Sequence, residues 1–309
     1  MSQPLVSVVL VTRNGAATLP EVLDALAHQR TESPIEIVAV DSSSDDGTVD
    51  LLRGRVHRLI SIAADSFDHG LTRNLGIEQS TGDLIVLLVQ DAVPVSRSWL
   101  ANLTAPLAAD TRLAGSFARQ KPRPDASAIT RHYLESWAGT SHTPWTAEIG
   151  GGPALQTLQP PERLTRCTFD NVCSCIRRSV WLEHPFRSTP IGEDLEWARD
   201  VLLAGYRLAY VPTAEVVHSH DRPALYEFAR TYALHRRLYE LFALRTIPTV
   251  PLLWKAIASS LAVHWRCQRN GPRVSSARAA ALALAWPLGQ YLGGLSAARG
   301  WRPLKLQRV

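Results

Sequence analysis

Apolar and polar positions follow two rhythms along the first 120 residues. Leu5–Thr12 is a β-rich apolar run that ends in the polar turn Thr12-Arg13-Asn14-Gly15. Leu19, Val22, Leu23 and Leu26 then recur at helical spacing. Ile35–Val40 is a second apolar run, stopped by Asp41-Ser42-Ser43-Ser44-Asp45-Asp46-Gly47, and His57–Ala63 reads as a third strand. Gly70–Ser80 predicts a helix, and Leu84–Val89 is apolar throughout, as a strand buried on both faces should be. Strands alternating with helices imply a parallel sheet covered on both sides. Ligands of such sheets sit at the carboxyl ends of the strands, so the polar turns after each strand are the places to look for chemistry.

The pattern changes further on. Leu113–Phe117 reads as a strand, with Arg119-Gln120-Lys121 just beyond it facing either a ligand or solvent. Residues 139–166 are rich in Pro, Gly, Thr and Ser and read as a long loop of the functional kind. Cys167–Trp181 predicts another strand and helix, and Asp194–Ala204 a helix. From Leu225 onward the spacing is helical, with Phe228, Tyr232, His235, Tyr239 and Phe242 on one stripe and Arg230 and Arg237 opposite. Two regions follow from this, a catalytic-type α/β region over 1–224 and a helical region over 225–309. The longest uncharged stretch, Ala279–Ala298, is about as long as a bilayer is thick. Pro287, Gln290 and three glycines make it an interfacial or re-entrant segment rather than a span.

Charge is divided unevenly. The chain has 309 residues and a net charge of +5, but residues 222–309 carry 14 Lys and Arg against 2 Asp and Glu. The acidic body and the basic tail therefore have different partners. Charge alone, without a nucleic-acid-binding fold or motif, gives no reason to expect nucleic acid. The tail could pack on the catalytic region as ordinary helices, but a membrane face rich in anionic lipid is the partner expected for it. Four cysteines are few for this length and fit a reducing compartment. Cys167, Cys173 and Cys175 lack the paired spacing of a zinc site, and buried free thiols are expected instead. No export or targeting segment is recognised in the sequence.

Candidate chemistry lies in four clusters: Asp41 with Ser42–Ser44; Gln90-Asp91-Ala92-Val93-Pro94; Gly192-Glu193-Asp194-Leu195-Glu196-Trp197; and His218-Ser219-His220. Each has an ordinary structural reading. Asp41 or Asp91 could cap the next helix, with Pro94 starting it, and Glu193 and Asp194 could be solvated first-turn acids. Taken together at one sheet edge, two carboxylate clusters and a histidine pair could build a divalent-metal site with a spare base. The strand-to-helix glycine fingerprint of dinucleotide-binding enzymes is missing, as is a phosphate-binding P-loop.

In their order along the chain these segments resemble glycosyltransferase family 2 enzymes of the GT-A fold, over roughly residues 5–225. The resemblance rests on Val8-Val9-Leu10-Val11-Thr12-Arg13-Asn14-Gly15, Val38-Ala39-Val40-Asp41 with the serines and acids after it, Phe67-Asp68-His69-Gly70-Leu71-Thr72-Arg73-Asn74, Thr81-Gly82-Asp83, and the Gln90 and Gly192 clusters. The His69-Gly70-x-x-Arg73-Asn74 and Gln-Asp-Ala-x-Pro forms are similar to those of bacterial rhamnosyltransferases of cell-surface polysaccharide assembly.

That resemblance implies an α/β transferase with a mostly parallel sheet, moving a sugar with inversion from a nucleoside diphosphate donor, dTDP-rhamnose being the best match, to a glycan or polyprenyl-linked hydroxyl. UDP- or GDP-hexoses, or a non-catalytic nucleotide-sugar-binding relative, are the alternatives. It implies that Thr12, Asn14, Asp41, Ser43, Arg73 and Gln90 contact the donor. Asp91 and His218 would hold a divalent ion, Mg or Mn, and Asp194 would be the base. A cytoplasmic position on the inner face of the cell membrane goes with such an acceptor. The chain departs from the family's Asp-x-Asp metal motif at one point: Val89 replaces the first acid, leaving Asp91 alone.

Overall fold

The computed structural model describes residues 5–31 and 35–304, apart from the side chain of Asn270. The outer ends of both expected regions (1–4 and 305–309) and the 32–34 segment lie outside the described residues. The first half alternates as the pattern requires: β1 (Val6–Thr12), α1 (Leu19–Ala27), β2 (Ile35–Asp41), α2 (Thr48–Leu52), β3 (Arg58–Ser61), α3 (His69–Glu78), β4 (Leu84–Val89), β5 (Val93–Pro94), α4 (Trp99–Ala109) and β6 (Leu113–Lys121). Then come α5 (Ala128–Glu135), β7 (Trp145–Ala147), α6 (Gly152–Thr157), α7 (Pro160–Arg166), β8 (Cys173–Arg177), α8 (Arg178–Glu183), α9 (Glu193–Leu203) and β9 (Arg207–Val217). Three helices close the chain: α10 (Ala224–Phe242), α11 (Val250–Asn270) and α12 (Ser276–Ala298).

The strands form one sheet in the order β3-β2-β1-β4-β8-β6-β9-β5, with β7 added on β9. Strands β3, β2, β1 and β4 are mutually parallel. β8 runs antiparallel to both β4 and β6, which leaves β6 and its partner β9 pointing the same way as β4. The carboxyl ends of β1, β2, β4, β6 and β9 therefore share one edge with the amino end of β8. That edge gathers Thr12, Asp41, Asp91, Gln120, Asp170 and His218 from six places in the sequence.

Period-two alternation sends successive strand residues to opposite cores. Val8, Leu10, Val86 and Leu88 pack on one side against Leu19, Val22, Leu23 and Leu26 of α1 and Trp99, Leu103 and Leu107 of α4. Val9, Ile85, Leu87, Phe117 and Tyr210 pack on the other against α3, α8 and α9. Helix α3 lies close because residue 76 is glycine: a Cβ there would come within 3.2 Å of Val40 Cγ2 and run into Val9. Its start is fixed by Asp68, whose Oδ1 accepts the N–H groups of Gly70 and Leu71, both at 2.9 Å.

The structure revises five expectations. Ala279–Ala298 is neither interfacial nor re-entrant but lies in the continuous helix α12, with Ala279, Leu282, Ala283 and Ala285 buried and Gly289 and Gly293 set close against Thr231 and Tyr232 of α10. Residues 139–166 are a chain of short elements (β7, α6 and α7) rather than an open loop, because Trp145 stacks on Tyr210 and gives the segment a core of its own. β6 runs on through Lys121, so Arg119-Gln120-Lys121 belong to the strand; Arg119 pairs with Glu215 of β9 at 2.7 Å. Pro94 pairs with β9 instead of starting a helix. Arg237 is not on a solvated face, since Arg237 Nη2 meets Glu196 of α9 at 2.5 Å. Leu238 and Phe242 of α10 join the second core, so this helix packs on the sheet region. Cys167, Cys173 and Cys175 are buried free thiols; burial pushes Cys167 and Cys175 up to about 12. Trp197 is core, as expected.

Candidate active site

Two nests of residues occupy the shared sheet edge. The first lies at the ends of β1 and β2. Asp41 is buried, and its Oδ1 accepts from Thr12 Oγ1 at 2.9 Å and Ser44 Oγ at 2.5 Å while Oδ2 accepts the Ser44 N–H. Asn14 and Ser43 adopt the left-handed region, with φ of 49° and 57°. Asn14 Oδ1 accepts the Asp45 N–H at 3.0 Å and Ser43 Oγ donates to the Ile62 carbonyl at 2.8 Å. Gln90 closes the nest by bridging back: Oε1 accepts the Arg13 N–H at 2.7 Å and Nε2 donates to the Arg13 carbonyl at 2.9 Å. These bonds shape a rigid polar floor of fixed N–H and hydroxyl groups.

The second nest is built on Asp91, just after β4. His218 Nε2 lies 3.6 Å from Asp91 Oδ1 and His220 Nε2 lies 3.2 Å from Asp91 Oδ2. The two histidines follow directly on β9, which ends at Val217, and both side chains turn to Asp91. Arg123 braces the arrangement, donating from Nη2 to the Asp91 carbonyl and from its backbone N–H to Ser219 Oγ, both at 3.0 Å. Burial holds His218 down to about 4, against the opposing pull of Asp91, and His220 is lowered for the same reason. Both shifts favour the neutral ring, the form that can bind a metal ion.

Beside it stands the acid pair of α9. Gly192, with φ of 76°, turns the chain so that Glu193 and Asp194 open the helix. Burial alone would raise Glu193, but Arg73 at 3.1 Å, with His69 and Asn171, brings it below the usual carboxylate range. Asp194 is held well above that range by burial and by the charges of Glu193 and Asp170. Asp170 joins the two centres. Gln120 Nε2 donates to Asp170 Oδ2, and Gln120 Oε1 lies 2.8 Å from His218 Nδ1. A hydrogen-bond chain thus runs from Asp170 through Gln120 to His218, beside Asp91, and Asp170 stands near enough to Asp194 for its charge to act on that acid.

Residues 7–169 match the profile of glycosyl transferase family 2. The chain belongs to that family. This glycosyltransferase is 30% identical over 235 residues to the O-antigen chain rhamnosyltransferase RfbN of Salmonella typhimurium, covering 74% of its own length and 70% of the relative's. It is 28% identical over 237 residues, with the same coverage, to the O-antigen chain rhamnosyltransferase WbaN of Salmonella anatum. Its fold, the GT-A fold, is shared with a mannosyltransferase of Pyrobaculum calidifontis solved with GDP-Man and Mn2+, at a TM-score of 0.55 and 18% identity over 98% of this chain and 77% of that one.

Within the glycosyltransferase, Thr12, Asn14, Asp41, Ser43 and Gln90 gather at the first nest, Asp91 and His218 at the second, and Arg73 lies between His69 and Glu193, donating to the His69 carbonyl at 2.7 Å. Asp91, His218 and His220 offer one carboxylate oxygen and two ring nitrogens, all within 4.8 Å of one another. Bonds of about 2.1 Å at right angles would set such donors about 3 Å apart, so the donor types fit a divalent ion once the side chains draw together around it. The sequence reading had His220 within a histidine pair that could serve a metal site and Gln120 at a strand end facing ligand or solvent, but assigned neither among the site residues, and it gave Asp170 no role. Nothing in the sequence foretold that Gln120 and Asp170, 50 residues apart, would meet.

Proposed function

We propose that the enzyme is an inverting rhamnosyltransferase that takes its sugar from dTDP-rhamnose and delivers it to a glycan or polyprenyl-linked hydroxyl in cell-surface polysaccharide assembly. The names of the two Salmonella relatives support the sugar, and the observation that carries the chemistry is the chain Asp170–Gln120–His218 beside Asp91, with the Asp170 charge acting on Asp194. Donor binding falls to the nest of Thr12, Asn14, Asp41, Ser43 and Gln90, with Asp41 acting by fixing Thr12 and Ser44. Arg73 keeps Glu193 charged and near the diphosphate. Asp91, His218 and His220 would hold a divalent ion, whose positive charge offsets that of the departing nucleoside diphosphate. Imidazole donors beside a carboxylate suit manganese better than magnesium, which favours an all-oxygen shell.

Asp194 takes the proton of the acceptor hydroxyl. An acid held above the ordinary range is a stronger base once ionised, which suits a weakly acidic alcohol. Attack by that hydroxyl on the face opposite the nucleotide inverts the anomeric carbon. A lipid-linked acceptor sets the enzyme on the inner face of the cell membrane. The test pairs binding with turnover. Asp194→Asn should keep dTDP-rhamnose binding, measured by calorimetry with manganese present, while transfer falls by about 100-fold or more. Normal turnover by Asp194→Asn would remove Asp194 as base. Tighter binding of a UDP- or GDP-sugar than of dTDP-rhamnose would reassign the donor.

A further inference from the structure

Helix α11 is fastened on one side and bare on the other. Leu253, Ile257, Ser260 and His264 face inward. His264 Nδ1 donates to the Ala279 carbonyl at 2.8 Å, which leaves Nε2 to accept from Tyr133 Oη of α5 at 3.2 Å. These bonds fix the rotation of the helix. They turn outward Val250, Trp254, Leu261 and Trp265, which are 50%, 65%, 44% and 64% exposed. At about 100° per residue the four fall within an arc of about 60°, and they extend for about 22 Å along the axis. Arg269, Lys255 and Arg266 continue around the same side. The Arg269 guanidinium lies 4.8 Å from the centre of the Trp265 ring.

An apolar strip of this size with two bare tryptophans is unusual on a surface that meets only water. Tryptophan beside lysine and arginine is the composition of a bilayer's headgroup layer, where the ring is half-wet and the cation reaches lipid phosphate. Charge points the same way. Residues 241–309 contain ten Lys and Arg and no Asp or Glu. A second copy meeting this face about a twofold axis would oppose one basic row with another. No helix among the described residues is long and apolar enough to cross a membrane, so a helix of this kind would lie along the surface.

We infer that the outward face of α11 docks the enzyme on an anionic bilayer, with Val250, Trp254, Leu261 and Trp265 set into the headgroup layer and Lys255, Arg266 and Arg269 on the lipid phosphates. The inference takes its purpose, not its evidence, from the lipid-linked acceptor proposed above. The face is tied to the histidine pair: α11 packs on α5, and Ser127 at the start of α5 donates through N–H and Oγ to Asp221, the residue after His220, at 2.8 and 2.6 Å.

Flotation of the full chain with vesicles tests it. Wild type should float with equimolar phosphatidylglycerol and phosphatidylcholine at low salt, and float less with phosphatidylcholine alone. The double substitution Trp254→Ala/Trp265→Ala should reduce flotation about tenfold or more, and Lys255→Glu/Arg266→Glu/Arg269→Glu should abolish the preference for the anionic lipid. Leu182→Ser, at an exposed leucine on α8, should leave flotation unchanged. Wild type remaining in the dense fractions overturns the proposal, as does flotation of the tryptophan variant at the wild-type level. So does concentration-dependent dimerisation abolished by Trp254→Ala/Trp265→Ala, which would assign the face to a second copy. Nucleotide-sugar binding is measured on the same samples: its loss with flotation intact counts against the transferase reading alone.

Discussion

His218 Nδ1 lies 2.8 Å from Gln120 Oε1, and this one hydrogen bond settles which nitrogen of the ring faces Asp91. An ionised Asp170 can only accept, so the Gln120 amide nitrogen points at it and the carbonyl oxygen points at His218. His218 must therefore donate from Nδ1, leaving the Nε2 lone pair aimed at Asp91 Oδ1. Outer partners of this kind orient the histidines of metal centres, and losing one typically costs 10–100-fold in metal affinity. Gln120→Leu should weaken manganese-dependent donor binding by about tenfold while binding without metal stays as in wild type. Titration calorimetry with and without manganese makes the comparison, and equal metal dependence in both proteins would deny Gln120 this part.

Asp170 should leave its mark on stability. Burial, partly offset by the Val172 N–H and Gln120, raises its carboxyl from 3.8 to about 6. The folded state thus keeps a proton that the unfolded state releases between those values. The stabilising contribution is complete below pH 3.8 and is lost as pH rises through 6, on the order of 3 kcal/mol in all. Asp170→Asn keeps a carbonyl for Gln120 but cannot ionise. It should match wild type near pH 4 and exceed it by up to that amount at pH 8. Urea unfolding at the two pH values gives the difference, and a gain of equal size at both would show that ionisation is not the cause.

A buried histidine in the tail should act with the opposite sign. His235 of α10 is held down to about 4, first by burial and then by Arg230, with Thr246 Oγ1 at 3.2 Å from Nδ1. Its unfolded value is 6.5. The contribution is present above 6.5 and disappears as pH falls through 4, again on the order of 3 kcal/mol. His235→Gln should flatten the acid limb of the stability profile between pH 6.5 and 4 without changing donor binding at pH 7.5. Melting curves across that range decide it; an unchanged slope would mean the ring is already solvated.

The sequence carried the sheet edge more fully than the contacts made across it. Leu84–Val89 could only be a central strand, and the turn after it held Asp91; both follow from local pattern. Glu193 and Asp194 were legible as the opening of a helix. The meeting of Gln120 with Asp170 was not, because it depends on β6 running three pairs (Arg119, Gln120 and Lys121) beyond its apolar stretch and on β8 entering the same edge from the opposite direction. The 139–166 segment misled for a related reason. Its glycines and prolines read as loop, while its order comes from Trp145 stacking on Tyr210, a contact made across 65 residues. Arg237 followed helical spacing onto a polar face, but that face turned out to lie against Glu196.

The buried pair of Arg73 and Glu193 invites a double-mutant cycle. Both side chains are almost fully covered, 3.1 Å apart, and the Asn171 amide completes the shell of Glu193 at 3.3 Å. Replacing Arg73 by Met keeps most of its volume but leaves the Glu193 charge without a cation, and such a loss costs about 3–5 kcal/mol. Glu193→Gln added to Arg73→Met removes the stranded charge and should recover most of that cost. The two changes would then couple by more than about 1.5 kcal/mol, well above the scatter of independent sites. Turnover should not recover with stability, because the double variant no longer has the Glu193 charge that helps hold Asp194 above the usual range. Chemical denaturation of the four proteins gives the coupling energy. Additive losses would show that Arg73 acts through its own packing and the His69 carbonyl rather than through Glu193.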